Sequence, residues 1–307
     1  MISDVTIYFK ENWVDERGFE ESLSKAVPEP HQEDISKVSF HVPKNCKIMI
    51  DSGIRLLSLA KQLNHVGKEV TLIFEEGEDG TMGYLDRIGF FEHLNEEIMV
   101  LPDRPYFSGA KVFRGFNEGL VEIAGINPGH QDPEVPGRLS DVLVKNISHI
   151  EDSDMLETAT YTVFAELIDN IFRHSSTELD GFAALQVYKN GGRAKVVVSD
   201  SGMGILETLK PVLNQNNSRF KRRSDTDLIV EAFSNGLSRF GKGNGCGLKM
   251  CATQAMKFKA ELDVRLPNSR VHLLPSPNGY VPAMAYCYDA IPLIWGTHIC
   301  FDFFLDR

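Results

Sequence analysis

One stretch restricts the fold of this chain more than any other: Phe164-Ala165-Glu166-Leu167-Ile168-Asp169-Asn170-Ile171-Phe172-Arg173-His174. Phe164, Leu167, Ile168 and Ile171 recur at the i, i+3, i+4, i+7 spacing of one helical face. Glu166, Asn170 and His174 recur every fourth residue and share a second face. One face is thus built for a core, and the other carries a carboxylate one turn before an amide. That pair suits a site that activates a nucleophile and holds a hard cation, because glutamate can take a proton and an amide oxygen can ligate magnesium. A solvated helical face carries the same residue types, so the functional reading needs support from elsewhere in the chain.

Two later stretches supply it. The β-branched run Val196-Val197-Val198-Ser199 ends in Asp200, followed by Gly202 and Gly204 at alternate positions. Gly241, Gly243, Gly245 and Gly247 also alternate, and a helical pattern follows them. Such a loop exposes successive backbone N–H groups, and the helix adds its positive end, which together make a phosphate cradle. Lys242 or Arg239 can add a cation toward a terminal phosphate; Lys249 already lies within the helix. There is no G-x-x-x-x-G-K-[ST] and no G-x-G-x-x-G in the loop, which excludes a P-loop enzyme and argues against a dinucleotide fold.

The order Glu-x-x-x-Asn, then Asp-x-Gly-x-Gly, then a glycine-rich loop before a helix resembles the ATPase family of gyrase B, the heat-shock chaperone of the same fold, sensor histidine kinases and MutL. Within it the chain is most similar to the anti-sigma-factor serine kinases, whose helix likewise reads Glu-x-x-x-Asn-x-x-x-His. The resemblance covers roughly Asp154 to the C-terminus. It implies a Bergerat-type two-layer α/β sandwich that binds ATP with Mg²⁺. It implies Glu166 as general base and Asn170 as magnesium ligand. Asp200 would accept a hydrogen bond from the adenine amino group, with Gly202 and Gly204 letting the backbone pass close to the base. Lys242, Gly243, Gly245 and Gly247 would surround the phosphates, residues 206–243 would form an ATP lid, and Thr297 belongs to the Gly-Thr pair before the family's final strand. The acceptor is either water, giving a slow ATPase, or a serine of a STAS-like partner, giving a protein serine kinase. The alternative is a non-hydrolysing, ATP-gated protein-interaction switch.

The N-terminal half alternates strands and helices: strands over Val5–Phe9, Val38–Val42, Lys47–Ile50 and Val70–Phe74, and helices over Phe19–Ala26, Ile54–His65 and from Tyr84 to an end at Gly89. That order predicts a crossover sheet layered with helices. Ile48-Met49-Ile50-Asp51-Ser52-Gly53 running into a helix, then Gly67 and the strand after it, resembles the STAS domains of anti-sigma-factor antagonists, with one serine fewer at the turn. The serine before the glycine is the one phosphorylated in those antagonists, which makes Ser52 the candidate phosphoacceptor. The alternative is that Asp51 and Ser52 cap the helix. The expected organisation is a STAS-like regulatory domain over 1–126, a linker over 127–137 rich in proline, and a histidine-kinase-like ATP-binding domain over 138–307. The overall class is α/β (α+β). Residues 275–292 depart from the compact family core and suggest no function.

Composition narrows the partners. Hydrophobic residues at 42% and charged residues at 24% belong to an ordinary globular protein. A formal net charge of -11 argues against a nucleic-acid backbone as partner. There is no signal peptide and no apolar run long enough to span a bilayer, and five unpaired-looking cysteines fit a reducing compartment, so a cytoplasmic protein is expected. The resemblance is compatible with a protein partner, STAS-like or another regulator, and with a homodimer.

Overall fold

The computed structural model describes residues 3–127, 132–147, 153–174, 177–208, 210, 223–235 and 246–305. The chain divides into two compact units: 1–117 with 121–123 and 291–294, and 118–120 with 124–290 and 295–307.

The first unit is built on strands β1 (Ser3–Tyr8), β3 (Ile35–Val42), β5 (Glu69–Phe74) and β6 (Met99–Leu101), all parallel and in the order β1-β3-β5-β6. A small parallel pair, β2 (Asn12–Val14) and β4 (Cys46–Ile48), lies outside that sheet. Helices α1 (Glu16–Ser24), α2 (Ile50–His65), α3 (Thr81–Arg87) and α4 (Phe90–His93) make the connections, and α5 (Gly109–Phe113) follows β6. Each crossover advances the same way across the sheet, so right-handed connections place their helices on one face. Val5, Ile7, Val38, Phe40, Val70, Leu72 and Val100 alternate onto that buried face. Aspartate caps α1, the Asp15 Oδ1 accepting from Gly18 N at 2.9 Å. The helix expected from Tyr84 ends at Gly89 as anticipated: α3 stops just before Gly89, which takes φ +89° and opens the separate short helix α4.

The expected capping of α2 is not met. The helix starts at Ile50, with Met49 as N-cap and no side-chain cap bond, so Asp51, Ser52 and Gly53 lie within its first turn. Ser52 is fully buried, and its hydroxyl has no hydrogen-bond partner among the described residues.

The second unit carries a seven-stranded sheet in the order β12-β11-β10-β13-β9-β8-β7. Its strands are β7 (Leu120–Ile126), β8 (Gly181–Tyr188), β9 (Arg193–Ser199), β10 (Glu261–Leu266), β11 (Ser269–Ser276), β12 (Gly279–Pro282) and β13 (His298–Phe304). β8 and β9 form an antiparallel pair joined through Asn190-Gly191-Gly192, a strong turn-forming run in which Gly192 takes φ +60°. The helices are α6 (Val135–Asn146), α7 (Ser153–His174), α8 (Asp225–Asn235) and α9 (Cys246–Lys257). The apolar face of α7 meets the sheet as its periodicity requires, Phe164 packing edge-on against Phe301 at 6.4 Å between ring centres.

The opposite face of this sheet is polar, yet buried. Asp263, Arg265, Arg270 and His272 all lie there with 8% exposure or less. Asp263 binds the Arg270 guanidinium at 2.6–2.7 Å. Burial disfavours the charged form of His272, but Asp263 and Glu261 outweigh it and raise its pKa to about 9. The segment 275–292 acquires a structural role here. β12 adds an edge strand to β11, Tyr286 stacks edge-on against His272, and Tyr288 bridges Arg270 through backbone hydrogen bonds of 2.7 and 2.8 Å.

Candidate functional site

Asp200 stands where β9 ends, and its carboxylate is claimed from two sides. Oδ1 accepts from Gly202 N at 2.8 Å, an aspartate turn that explains the residue type at a strand end. Oδ2 accepts from Thr297 N at 3.1 Å, and Asp200 N donates to Thr297 O at 3.0 Å. Burial raises the carboxyl pKa to about 6, against the pull of the two backbone donors. A carboxylate held in place and made costly to ionise is primed to accept one further donor.

Thr297 also fixes the loop after Asp200, because its Oγ1 accepts from Ile205 N at 2.8 Å. Thr297 is 3% exposed, so it positions Asp200 and the glycine loop from behind. Gly204 at φ +79° passes so close to the Gly296 carbonyl that a Cβ would lie 3.0 Å from it. Gly296, the glycine of the Gly-Thr pair, has a role at the site that its sequence did not assign. At φ +91° its backbone lies against Asp200, and a Cβ there would overlap the Asp200 carbonyl oxygen and lie 2.8 Å from Oδ1. Its only sequence signal is the glycine directly before a strand. Gly296→Ala is expected to cost roughly 2 kcal/mol or more through left-handed strain and collision. Differential scanning calorimetry should show the Tm lowered by about 4–8 °C.

Glu166 and Asn170 lie one turn apart on α7, both partly exposed. α7 packs against α9, and the contact brings Glu166 to the first turn of that helix. Gly247 is the residue that permits it: a Cβ there would overlap Glu166 Oε1 and lie 2.6 Å from Cδ. The positive end of α9 favours a carboxylate at that place. One turn further on, the buried Cys251 Sγ donates to Val163 O at 3.7 Å. Burial first, and the Glu166 carboxylate second, push its thiol up to about 12, so Cys251 is an inert packing group. Gly247→Ala is expected to displace the Glu166 carboxylate. Under the general-base role that the resemblance implies for Glu166, turnover should fall at least about tenfold, while ATP affinity, measured by calorimetric titration, changes less.

Lys242, Gly243, Gly245 and Arg239, together with the side chain of His174, lie outside the described residues. The structure thus brings together two groups: Asp200, Gly202, Gly204 and Thr297 at the end of β9 and the start of β13, and Glu166, Asn170 and Gly247 where α7 meets α9. Ser52 belongs to the first unit.

The residues fit a nucleotide with its metal. Asp200 presents an inward-held acceptor suited to an exocyclic amine. Among the described residues no group of three His, Cys, Asp or Glu side chains could hold a metal ion. A magnesium ion that keeps its waters and the phosphate oxygens needs only one or two protein oxygens, which Asn170 and Glu166 can supply.

Comparison with the curated proteins finds no match. Comparison with protein-family models finds one: residues 155–279 match the family described as histidine kinase-, DNA gyrase B-, and HSP90-like ATPase. The match contains α7 with Glu166 and Asn170, Asp200 with its glycines, and α9 with Gly247. Residues 155–279 therefore form a domain of the histidine kinase-, DNA gyrase B- and HSP90-like ATPase type, a type that implies binding of ATP with Mg²⁺.

Proposed function

We propose that the chain is an Mg²⁺-dependent regulatory enzyme that either hydrolyses ATP slowly or passes its terminal phosphoryl group to a protein serine. The observation that carries this reading is the Glu166 carboxylate lying across Gly247 at the start of α9. A binding-only module has no need of a base at that place. Bound there, ATP supplies the transferable phosphoryl group, and catalysis by the protein is positioning and electrostatics. Asp200 orients the base moiety through its inward-held carboxylate. Asn170 offers its amide oxygen to the metal. Glu166 takes the proton from the attacking hydroxyl, whether of water or of serine.

The first unit supports a regulatory role. Its strand–helix order and the Asp51-Ser52-Gly53 sequence at the start of α2 support the STAS-like reading, and with it a STAS-like or other regulatory protein as partner. Ser52 as phosphoacceptor requires the first turn of α2 to open, since the side chain is fully buried. Calorimetric titration with ATP, with and without magnesium, tests binding. A turnover assay then separates enzyme from ATP-gated switch: saturable, magnesium-dependent binding with no release of phosphate and no phosphorylated protein would favour the switch.

A further inference from the structure

Directly before Asp200 on β9, and directly after Thr297 on β13, stands a buried polar pair. Ser199 and His298 face each other across the two strands and are 0% and 1% exposed. Ser199 Oγ lies 2.5 Å from His298 Nδ1, and His298 Nε2 lies 3.1 Å from Trp295 O. The carbonyl can only accept, so Nε2 carries the ring proton, and in the neutral imidazole Nδ1 then accepts from the Ser199 hydroxyl. One ring thus ties the residue before Asp200 to the residue before Gly296. Buried polar groups cost free energy unless they are satisfied. Ser199 follows Val196, Val197 and Val198, where one more valine would continue the strand without that cost. Arg265, paired with His298 on its other side, acts in the same way. Its Nη1 donates to Leu266 O at 2.6 Å and Pro267 O at 2.7 Å, and Pro267 Cδ would lie 3.3 Å from a Cβ at Gly204. The row Ser199, His298, Arg265 therefore holds from behind the two turns that meet Asp200 and its glycines.

We propose that His298 is a positioning residue for nucleobase recognition: by fixing Trp295 O it sets the Gly296-Thr297 backbone, and through it the direction in which the Asp200 carboxylate meets a bound base. The proposal rests on the reading of Asp200 as the acceptor for an exocyclic amine. The chain of contacts is short. Thr297 N donates to Asp200 Oδ2 at 3.1 Å. Gly296, at φ +91°, lies so close that a Cβ there would be 2.8 Å from Asp200 Oδ1. Neither residue can shift without moving the carboxylate. Glycine has the most backbone freedom to regain, so releasing the Trp295 carbonyl loosens the turn at Gly296 first. A hydrogen bond weakens steeply when its angle is lost. A loosened turn therefore costs the contact to the base and spares the contacts to the phosphates, which the same reading places on α7 and α9.

The test compares ATP with purine riboside triphosphate, which lacks only the exocyclic amine, by calorimetric titration of the full chain with magnesium. Wild type should prefer ATP by roughly 5–150-fold. His298→Phe keeps a ring in place and removes both hydrogen bonds. It should lose at least about fivefold of that preference, binding ATP more weakly and the analogue as wild type does. His298→Gln, whose amide can still donate to Trp295 O, should restore much of the preference. Ser199→Ala, which frees the ring but keeps it, should lose part of the preference, and it carries the test if His298→Phe does not fold. Cys300→Ala, a buried change two residues along the same face of β13, should leave the preference intact. Equal loss of affinity for both nucleotides would mean a general loosening of the sheet and would overturn the proposal. Folded variants of His298 and Ser199 that keep the full wild-type preference overturn it too. A wild type that binds ATP and the analogue equally overturns instead the reading of Asp200, and the proposal with it.

Discussion

On the proposed mechanism, Glu166→Ala is expected to leave ATP binding near its wild-type level and to cut turnover by about 10²–10⁴-fold, the usual contribution of a positioned general base. Asp200 is held by hydrogen bonds from Gly202 N and Thr297 N, whereas the Glu166 side chain reaches the start of α9. Its loss therefore removes a proton acceptor without disturbing the place where the base is read. Glu166→Gln keeps the shape against Gly247 and removes the basicity, so it should be nearly as slow. Asn170→Ala separates from both by losing the magnesium dependence of binding. The measurements are single-turnover phosphate release and calorimetric titration on the same preparations. A Glu166→Ala protein that turns ATP over at the wild-type rate would sink the enzymatic mechanism and leave the ATP-gated switch.

Asp200→Asn is expected to weaken ATP binding by roughly 5–150-fold, the free energy of about 1–3 kcal/mol for a buried donor left without its acceptor. The amide also turns an NH₂ toward either Gly202 N or Thr297 N, both of which now donate to the carboxylate. The pH dependence gives a second readout. The folded carboxyl titrates at about 6, above the ordinary 3.8. The folded chain therefore binds this proton more tightly than the unfolded chain, and the contribution of this group to stability increases as pH falls from 6 toward 4. Affinity for a ligand that needs the ionised carboxylate moves the other way and declines over the same window. The wild type should lose ATP affinity relative to Asp200→Asn as pH drops from 7.5 to 5, about tenfold per unit below the pKa. Comparing the two proteins cancels the titration of the phosphates themselves. Parallel pH profiles would remove Asp200 from the site.

The regular elements were legible in the residues because each buries one face against its own layer. The four-residue recurrence of Glu166, Asn170 and His174 over an apolar stripe announced α7, and Phe164 meets Phe301 on the side that the stripe requires. Asn190-Gly191-Gly192 announced the hairpin of β8 and β9. The other face of that sheet carried no local signal. Asp263 and His272 are buried there in an ionic cluster under Tyr286 and Tyr288. Local pattern put Ser52 at a turn, and the helix simply began earlier.

What the sequence determined by itself was the set of chemistry-bearing residues and the kind of element each stands on, since these follow from period, propensity and turn chemistry. What only the tertiary structure decided was how they are held. Thr297 and Asp200 are 97 residues apart, and they meet because β13 pairs with β9. Gly296 must lack a side chain only because that pairing presses it against Asp200, and Gly247 only because α9 lies on α7 at the level of Glu166. Strand order and helix packing bring together backbones that share no local pattern, and the steric cost of a single Cβ appears only once they have met.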